Sequence, residues 1–201
     1  MKSKKELEVF LSKLEQVTSP KINLEQYATP ADVAAEILWY ALMQNDIENK
    51  IVADLGCGNG VLGIGSVLLG AKKVIFLDSD NNSLLIAKRN FEKLKLKNAV
   101  YLNKDVNDFG DKVGTIIENP PFGVQNKHAD REFLIKAMES SRTIYSFHKI
   151  ETKEFVFALA RDYGFKVENI FTFEFVLKKT HEFHKKEKYK VGIGCFLLRK
   201  L

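Results

Sequence analysis

The fold of this chain is decided by residues 51–60, IVADLGCGNG, where a short apolar run passes directly into three closely spaced glycines. An apolar run of this length, bounded by glycine, predicts a buried strand over 51–55. Gly56, Gly58 and Gly60 let the backbone turn sharply and approach a ligand more closely than a β-carbon would allow. In an open α/β sheet, ligands bind at the carboxyl ends of the strands. The stretch therefore predicts a first strand followed by a ligand-binding turn.

Beyond this glycine turn, helix-like and strand-like patterns alternate along the chain. The predicted helices span 60–69, 82–96, 130–141 and 152–163. The predicted strands after the first span 74–78, 99–103, 113–118, 143–147, 167–177 and 189–198. The alternation predicts an α/β fold with a seven-stranded, mostly parallel sheet and helices on both faces. No helix separates the last two strands, so we expect an antiparallel C-terminal hairpin.

Two helices precede the first strand. Ser3 and Glu6 form a capping box, and apolar residues at helical spacing continue to Val17, which predicts a first helix through that segment. Thr29 as N-cap and Pro30 at the first helical position predict the second helix. These helices form an N-terminal extension of the sheet.

The composition is typical of a globular chain: of 201 residues, 45% are hydrophobic and 28% charged. We expect one domain over 1–201, made of the helical extension 1–49 and a Rossmann-like core 50–201. No apolar run approaches the roughly 20 residues of a membrane span, and the first residues lack the apolar segment of a secretory signal. Cys57 and Cys195 indicate neither a disulfide framework nor a zinc site, which favours a cytoplasmic location. The net charge of +5 is compatible with binding nucleic acid.

Acidic residues follow the next two strands at the same edge of the sheet. Asp78 ends the second strand, where a carboxylate can accept hydrogen bonds from both ribose hydroxyls of an adenosine-containing ligand. Asp105 follows the third strand, where it can accept from an adenine amino group. With the glycine turn, these acids predict one ligand pocket. Read from Gly58, the turn also matches the dinucleotide fingerprint GxGxxG, although that fingerprint should begin at the strand end, at Gly56.

The fourth predicted strand runs directly into Asn119-Pro120-Pro121-Phe122. Two consecutive prolines fix φ and remove two N–H donors, so the segment forms a rigid turn whose carbonyl groups can accept hydrogen bonds. The Asn119 side-chain oxygen and the Pro120 carbonyl can accept the two hydrogens of a planar amino group, which favours its pyramidal, nucleophilic form. Phe122 can stack on the ring that carries the amine. The structural alternative is a turn that places a phenylalanine in the core.

The turn DLGCGNG at 54–60, the acid ending the second strand, and NPPF resemble the amino-methyltransferases of the class I Rossmann-like fold. Three flanking segments narrow the resemblance: LEQYAT at 24–29, YSFHK at 145–149 and FHKK at 183–186. They resemble the methyltransferase-like protein 5 family, over nearly the whole chain. The resemblance implies methylation of an adenine N6 in small-subunit ribosomal RNA, with S-adenosylmethionine as cofactor and no metal.

The resemblance also implies roles for individual residues. The catalytic tetrad is Asn119, Pro120, Pro121 and Phe122. The family's cofactor contacts are taken together with further residues of the glycine turn. The predicted cofactor-binding residues are then Gln26, Thr29, Asp54, Gly56, Gly58, Asn59, Gly60, Val61, Asp78 and Asp105. Asn59 replaces a cysteine of animal members and Ala28 a common proline, and we expect a backbone contact at Asn59 to survive. Family members work with a small zinc-binding activator protein that pairs along an edge strand, for which 99–103 is the candidate.

A basic segment lies between the last two strands. Residues 178–190 hold six lysines and two histidines against two glutamates, together with Phe183 and Tyr189. This composition suits phosphate contacts and base stacking, although a solvated hairpin tip is the alternative. No carboxylate or cysteine accompanies the two histidines, so we expect no metal there. The predicted RNA-contacting residues are His148, Lys149, His184, Lys185 and Lys186.

Other functions stay open from these patterns. Tetrads of the NPP-aromatic type also serve DNA-adenine and protein-glutamine methylation, although no target-recognition domain for DNA is evident. A nicotinamide-dependent oxidoreductase would use the literal GxGxxG, but NPPF and the antiparallel end strands argue against it. A catalytically silent RNA-binding module is opposed by the intact tetrad. Binding assays with S-adenosylmethionine and with NAD would separate the methyltransferase from the oxidoreductase.

Overall fold

The computed structural model describes residues 1–17, 29–122, 129–178 and 188–201. The α-helices in these ranges are α1 Lys4–Leu11, α2 Ala31–Met43, α3 Val61–Leu68, α4 Asn81–Lys93, α5 Ala129–Ser140 and α6 Lys153–Asp162. The strands are β1 Ile51–Leu55, β2 Lys73–Asp78, β3 Ala99–Asn103, β4 Thr115–Glu118, β5 Thr143–Lys149, β6 Phe165–Lys178 and β7 Lys188–Lys200. Within this described part of the chain, no helix has the length and apolar character needed to cross a membrane.

All the strands join one sheet in the order β3-β2-β1-β4-β5-β7-β6. β1 to β5 run parallel, whereas β7 pairs antiparallel with both β5 and β6. The predicted α/β fold, with its seven-stranded, mostly parallel sheet and antiparallel C-terminal hairpin, is confirmed. Leu55, the last residue of β1, lies opposite Glu118, the last residue of β4. Gly56 and Asn119 are the residues that follow these two neighbouring strands. The glycine turn and the tetrad therefore begin side by side at the carboxyl edge, where the strand order reverses.

Alternate residues of the central strands pack into two separate hydrophobic cores. Val52 and Ile117 pack with α1 to α4 on one face, which we call the α3 face. Ala53 and Ile116 pack with α5 and α6 on the other, which we call the α5 face. Because both faces of β1 and β4 are covered, consecutive apolar residues such as Val52 and Ala53, or Ile116 and Ile117, are all buried instead of alternating with exposed polar ones.

The first helix is shorter than predicted. α1 ends at Leu11, well before Val17, because the following segment pairs with α4 instead of continuing the helix. The Glu15 N–H donates to the side-chain oxygen of Asn90 at 2.8 Å, and the Asn90 amide donates to the Glu15 carbonyl at 3.0 Å. Side-chain hydrogen bonds of this kind compete with helical backbone bonds. Leu14 lies outside the helix but is still buried in the core.

Several other helices and strands begin or end at residues different from those predicted. α2 begins at Ala31 with Pro30 as its N-cap, so the prediction of Thr29 as N-cap is wrong by one residue. β4 begins at Thr115, later than predicted, because the N–H of Val113 donates to the carbonyl of Ser140 at the end of α5. β5, β6 and β7 extend beyond their predicted ends, whereas β1 and β3 have the predicted bounds. The basic segment 178–190 lies largely outside the described residues.

The N-terminal extension is fastened to the core by Glu15. Its carboxylate accepts from Arg89 at 2.6 Å and from Lys93 at 3.1 Å, both on α4. The hydrogen bonds from Arg89 and then Lys93 lower the pKa of Glu15 to about 2. Its carbonyl accepts a further hydrogen bond, 3.2 Å long, from the Asn59 side chain in the glycine turn. This part of the extension therefore lies against the glycine turn.

A buried polar cluster lies at the amino ends of the strands, and we call Asp46, Tyr145 and Arg199 the amino-edge cluster. The Tyr145 hydroxyl donates to Asp46 Oδ2 at 2.6 Å. The Arg199 guanidinium donates to both carboxylate oxygens, at 2.7 and 2.8 Å. This fork-shaped pairing is the strongest geometry for an arginine and a carboxylate. It holds the start of β5 and the end of β7 to the segment before β1.

Candidate active site

The glycine turn has the backbone shape that the sequence predicts. Gly56 has φ 67° and Gly60 has φ 83°, in the left-handed region that favours glycine. A β-carbon on Gly56 would lie 3.0 Å from the Phe133 ring of α5, and one on Gly60 would lie 3.0 Å from Ala87 of α4. The Gly56 N–H donates to the Leu77 carbonyl of β2 at 2.8 Å, which fixes the turn against the neighbouring strand. Both positions therefore need glycine.

Asp78 lies beside this turn at the end of β2. One carboxylate oxygen accepts from the Gly58 N–H at 2.9 Å, and the other accepts from the Asp80 N–H at 2.8 Å. These two hydrogen bonds fix the carboxylate at the end of β2, and its contact with ribose hydroxyls stays a prediction. The side chain is 8% exposed, so a ligand that reaches it would be largely shielded from water.

Asp54 occupies the opposite side of the turn and is buried on the α3 face. Its Oδ2 accepts from the Gly63 N–H in the first turn of α3 at 2.8 Å. Burial raises the pKa of this carboxyl to about 7. The side chain thus anchors the helix that begins at Val61. A direct contact of Asp54 or Val61 with the cofactor stays a prediction.

The remaining predicted cofactor residues differ in their placement. The Asn59 side chain points to Glu15, which leaves its backbone as the predicted contact. Asp105 is exposed and caps a short 3-10 turn by accepting from the Asn107 N–H and side-chain amide, both at 2.9 Å. Its predicted contact with adenine would use the remaining acceptor capacity. Gln26 lies outside the described residues.

The tetrad leaves β4 directly beside the glycine turn. Asn119 is partly buried, and its Nδ2 donates to the Thr29 hydroxyl at 3.0 Å. Pro120 is buried and Pro121 is partly exposed. Phe122 is 8% exposed and belongs to the core on the α3 face. This ring has the packing that the structural alternative describes, and its stacking on a base stays a prediction.

A polar chain lies directly behind the tetrad on the α5 face, and we call Glu118, Ser146 and His148 the carboxyl-edge cluster. The Ser146 hydroxyl lies 2.7 Å from Glu118 Oε1 and 2.8 Å from His148 Nε2. All three side chains are buried, with exposures of 0%, 0% and 1%. Burial raises the pKa of Glu118 to about 8 and lowers the pKa of His148 to about 3. At neutral pH both groups are therefore largely uncharged.

The carboxyl-edge cluster reaches the start of α5. His148 Nδ1 lies 4.0 Å from a carboxylate oxygen of Asp130, and in the described part of the chain neither this nitrogen nor Glu118 Oε2 has a hydrogen-bond partner. Glu118 and Ser146 were not among the predicted site residues. The available signal was an acidic residue ending an apolar strand, and polar residues two apart on β5, which place Ser146 and His148 on one face.

The predicted RNA contacts are only partly described. His148 is buried and packs edge-on against the Phe196 ring, with centroids 5.8 Å apart, so its contact with RNA stays a prediction. Lys149 ends β5 and is partly exposed. His184, Lys185 and Lys186 lie outside the described residues. Across 1–17, 29–122, 129–178 and 188–201, no group of three or more histidine, cysteine or acidic side chains could hold a metal ion.

Comparison with known proteins identifies the family of the chain. The model of the methyltransferase small domain family matches residues 28–145. The chain is 37% identical to the zebrafish protein named rRNA N(6)-adenosine-methyltransferase METTL5, covering 94% of this chain and 95% of that one. It is 31% identical to the Drosophila protein of the same name, covering 94% and 92%. The chain belongs to the METTL5 family. The resemblance given by the flanking segments is thereby confirmed, and the oxidoreductase alternative is set aside.

Solved structures support the same fold for this METTL5-family chain. The crystal structure of a protein from Pyrococcus horikoshii, described as a candidate RNA methyltransferase, superposes with a TM-score of 0.92 at 40% identity. It covers 100% of this chain and 99% of its own. METTL5-family methyltransferases use S-adenosylmethionine, and the residues present fit that cofactor. A β-carbon on Gly58 would have no atom within 4 Å, so the turn is open at that position, and the Asp78 carboxylate lies directly beside it.

Proposed function

We propose that this chain methylates the N6 amine of an adenosine in ribosomal RNA, with S-adenosylmethionine as the methyl donor. The observation that carries the proposal is the position of Asn119, one residue beyond a β4 position that pairs with β1 just before Gly56. An amine held by Asn119 would therefore lie beside a ligand held by the glycine turn. Named relatives in zebrafish, fly and worm are rRNA N(6)-adenosine-methyltransferases, which supports the choice of substrate.

The chemistry follows from the weakness of the nucleophile. An aromatic amine delocalises its lone pair into the ring, and it becomes reactive only as the nitrogen becomes pyramidal. Asn119 Oδ1 and the Pro120 carbonyl would accept the two amine hydrogens and favour that form, so their effect is larger in the transition state than in the ground state. Bound S-adenosylmethionine supplies an activated methyl group on a sulfonium. The base would leave its stack to enter the site, as enzymes acting on bases require.

The activator protein is the second part of the proposal. Among the strands that the structure describes, β3 pairs only with β2, so its other side is an edge at the residues predicted for a partner. Edge strands present unpaired N–H and C=O groups to which another chain can add a strand. We propose that a small zinc-binding protein pairs there. A metal-free reaction, a cytoplasmic location, and one catalytic domain over 1–201 belong to the same proposal.

The test is methyl transfer by the purified protein, with and without a candidate activator, to three substrates: small-subunit ribosomal RNA, duplex DNA, and a glutamine-containing protein. Mass spectrometry of the digested RNA should show N6-methyladenosine in the first sample alone, and replacing Asn119 with alanine should remove it. Methyl on DNA or on protein, with none on RNA, would assign the chain to one of the alternative substrates. Calorimetry with S-adenosylmethionine tests the cofactor independently of the substrate.

A further inference from the structure

The Asn119 side chain is oriented by a residue 90 positions away in the chain. Its Nδ2 donates a 3.0 Å hydrogen bond to the hydroxyl oxygen of Thr29, which is 7% exposed. The two ends of an amide differ in hydrogen bonding, because the oxygen accepts and the nitrogen donates. With Nδ2 directed to Thr29, Oδ1 is the end of the amide that is directed elsewhere. The proposed chemistry requires that end to meet the amine.

Thr29 is itself held firmly. It precedes Pro30, and a residue before proline is confined to extended backbone conformations. Pro30 caps α2, and its carbonyl accepts from the Ala34 N–H at 2.9 Å to close the first turn. Several residues of α2 are fully buried, including Ala34 and Ile37. The Thr29 hydroxyl therefore has a fixed position relative to the sheet, and by accepting from Nδ2 it holds the Asn119 side chain in place.

We propose that Thr29 is a positioning residue for methyl transfer, whose hydroxyl holds the Asn119 amide with Oδ1 presented to the acceptor amine. The proposal rests on the proposed function and deepens it. If the amide turned over, its NH₂ group would face the NH₂ group of the base, and two donors cannot bond to each other. The N-terminal extension then contributes to catalysis as well as to cofactor binding, the role that the family resemblance implies for Thr29.

The two roles of Thr29 make different predictions. A contact with the cofactor contributes to the affinity for S-adenosylmethionine, and its loss is overcome at saturating cofactor. A positioning contact contributes to the rate of the chemical step, and its loss persists at saturation. The orienting hydrogen bond should account for about a tenfold difference in that rate, the usual scale for one net hydrogen bond.

The decisive variant is Thr29→Val, which keeps the shape of the side chain and removes the hydroxyl. In single-turnover methylation at saturating S-adenosylmethionine and RNA, its rate should fall about tenfold. Thr29→Ser should recover most of that loss. Once Asn119 is alanine, adding Thr29→Val should cost little more, because the residue it positions is gone. A normal saturated rate for Thr29→Val, or additive losses in the double variant, would overturn the positioning role.

A matched control separates positioning from general damage to the fold. Thr115 is also a buried threonine whose hydroxyl is hydrogen-bonded, in this case to the Asp46 carbonyl, at the amino edge away from the site. Thr115→Val should lower the melting temperature but leave the saturated rate unchanged. If Thr115→Val slows the reaction as much as Thr29→Val, the loss reflects stability and the proposal fails.

A second measurement does not depend on activity. In protein labelled with ¹⁵N, the Asn119 side-chain amide should exchange its hydrogens slowly, and Thr29→Val should shift its resonances and speed that exchange. Unchanged resonances would overturn the positioning contact. If the contact is present but no RNA is methylated, the proposed function fails while the geometry of Thr29 and Asn119 stands.

Discussion

The two polar clusters, at the amino and the carboxyl ends of the parallel strands, each contain a buried carboxyl group, but the hydrogen-bond partners of that group differ. In the amino-edge cluster the Asp46 carboxylate accepts hydrogen bonds from the Arg199 guanidinium, which carries the opposite charge, and from the Tyr145 hydroxyl. In the carboxyl-edge cluster, burial holds Glu118 and His148 in their neutral forms, linked by Ser146. The side chains of the first cluster bond to one another. In the second cluster, Glu118 Oε2 and His148 Nδ1 have no hydrogen-bond partner among the described residues.

The difference separates stability from function. Paired charges at the amino edge stabilise the sheet, and removing one partner leaves the other buried without compensation. In the described part of the chain, buried hydrogen-bonding atoms without a partner distinguish the carboxyl-edge cluster, and this is also the edge where ligands bind in α/β sheets. We therefore expect substitutions at the carboxyl edge to change the rate and substitutions at the amino edge to change the stability.

The largest effect should come from Asn119, next to the carboxyl-edge cluster. Asn119→Ala should lower the single-turnover rate by roughly two to three powers of ten, the scale for removing one preorganised group from a transition state. S-adenosylmethionine affinity, measured by calorimetry, and the melting temperature should stay near those of the wild type. A near-normal rate would leave NPPF as a structural turn.

The next effect should appear at the amino edge. Arg199→Met should lower the free energy of unfolding by about 2–3 kcal/mol, less than the roughly 3–5 kcal/mol for breaking a fully buried pair, because Arg199 is partly exposed. Urea unfolding measures this loss. The methylation rate, measured at a temperature where the variant is folded, should be unchanged; a slower reaction in a fully folded variant would break the comparison.

A pH-dependent effect should follow from Glu118. Its pKa is raised from 4.5 to about 8, so the folded state holds a proton that the unfolded state releases, and this contribution to stability declines as the pH rises from about 4.5 to 8. Glu118→Gln removes that decline. Relative to the wild type, the variant should therefore gain about 1–3 kcal/mol between pH 5 and pH 8 in urea unfolding. A constant difference across this range would show that Glu118 is not neutral in the folded protein.

The smallest effect should come from single hydroxyls. Ser146→Ala and Thr115→Val each remove one buried hydroxyl, from the carboxyl and amino edge, and each should cost about 1 kcal/mol of stability. Because Ser146 links Glu118 to His148, only Ser146→Ala should also lower the saturated methylation rate, by a few-fold. Equal rates in these two variants would mean that the carboxyl-edge cluster serves stability alone.

Much of the site could be predicted from sequence because its signals are local. Three glycines within five residues, an acid at the end of a strand, and two prolines after another strand each restrict the backbone where they occur. The alternation of strands and helices then brings the glycine turn and Asn119 together, since parallel strands end at the same edge. The bounds of β1 and β3 were also predictable, because short apolar runs flanked by turn residues define them.

Only the tertiary structure decided which side chains meet across long distances in the chain. Thr29 reads as a helix cap in the sequence, yet it accepts a hydrogen bond from Asn119. His148 is predicted from the sequence to contact RNA at a strand end, and the tertiary structure buries it edge-on against Phe196 of β7. The physical reason is that hydrogen bonds between residues far apart in the chain follow from packing and leave no period in the sequence. The sequence alone determines the sheet and its reactive turns, and the packing of the N-terminal extension and α5 decides how they are oriented.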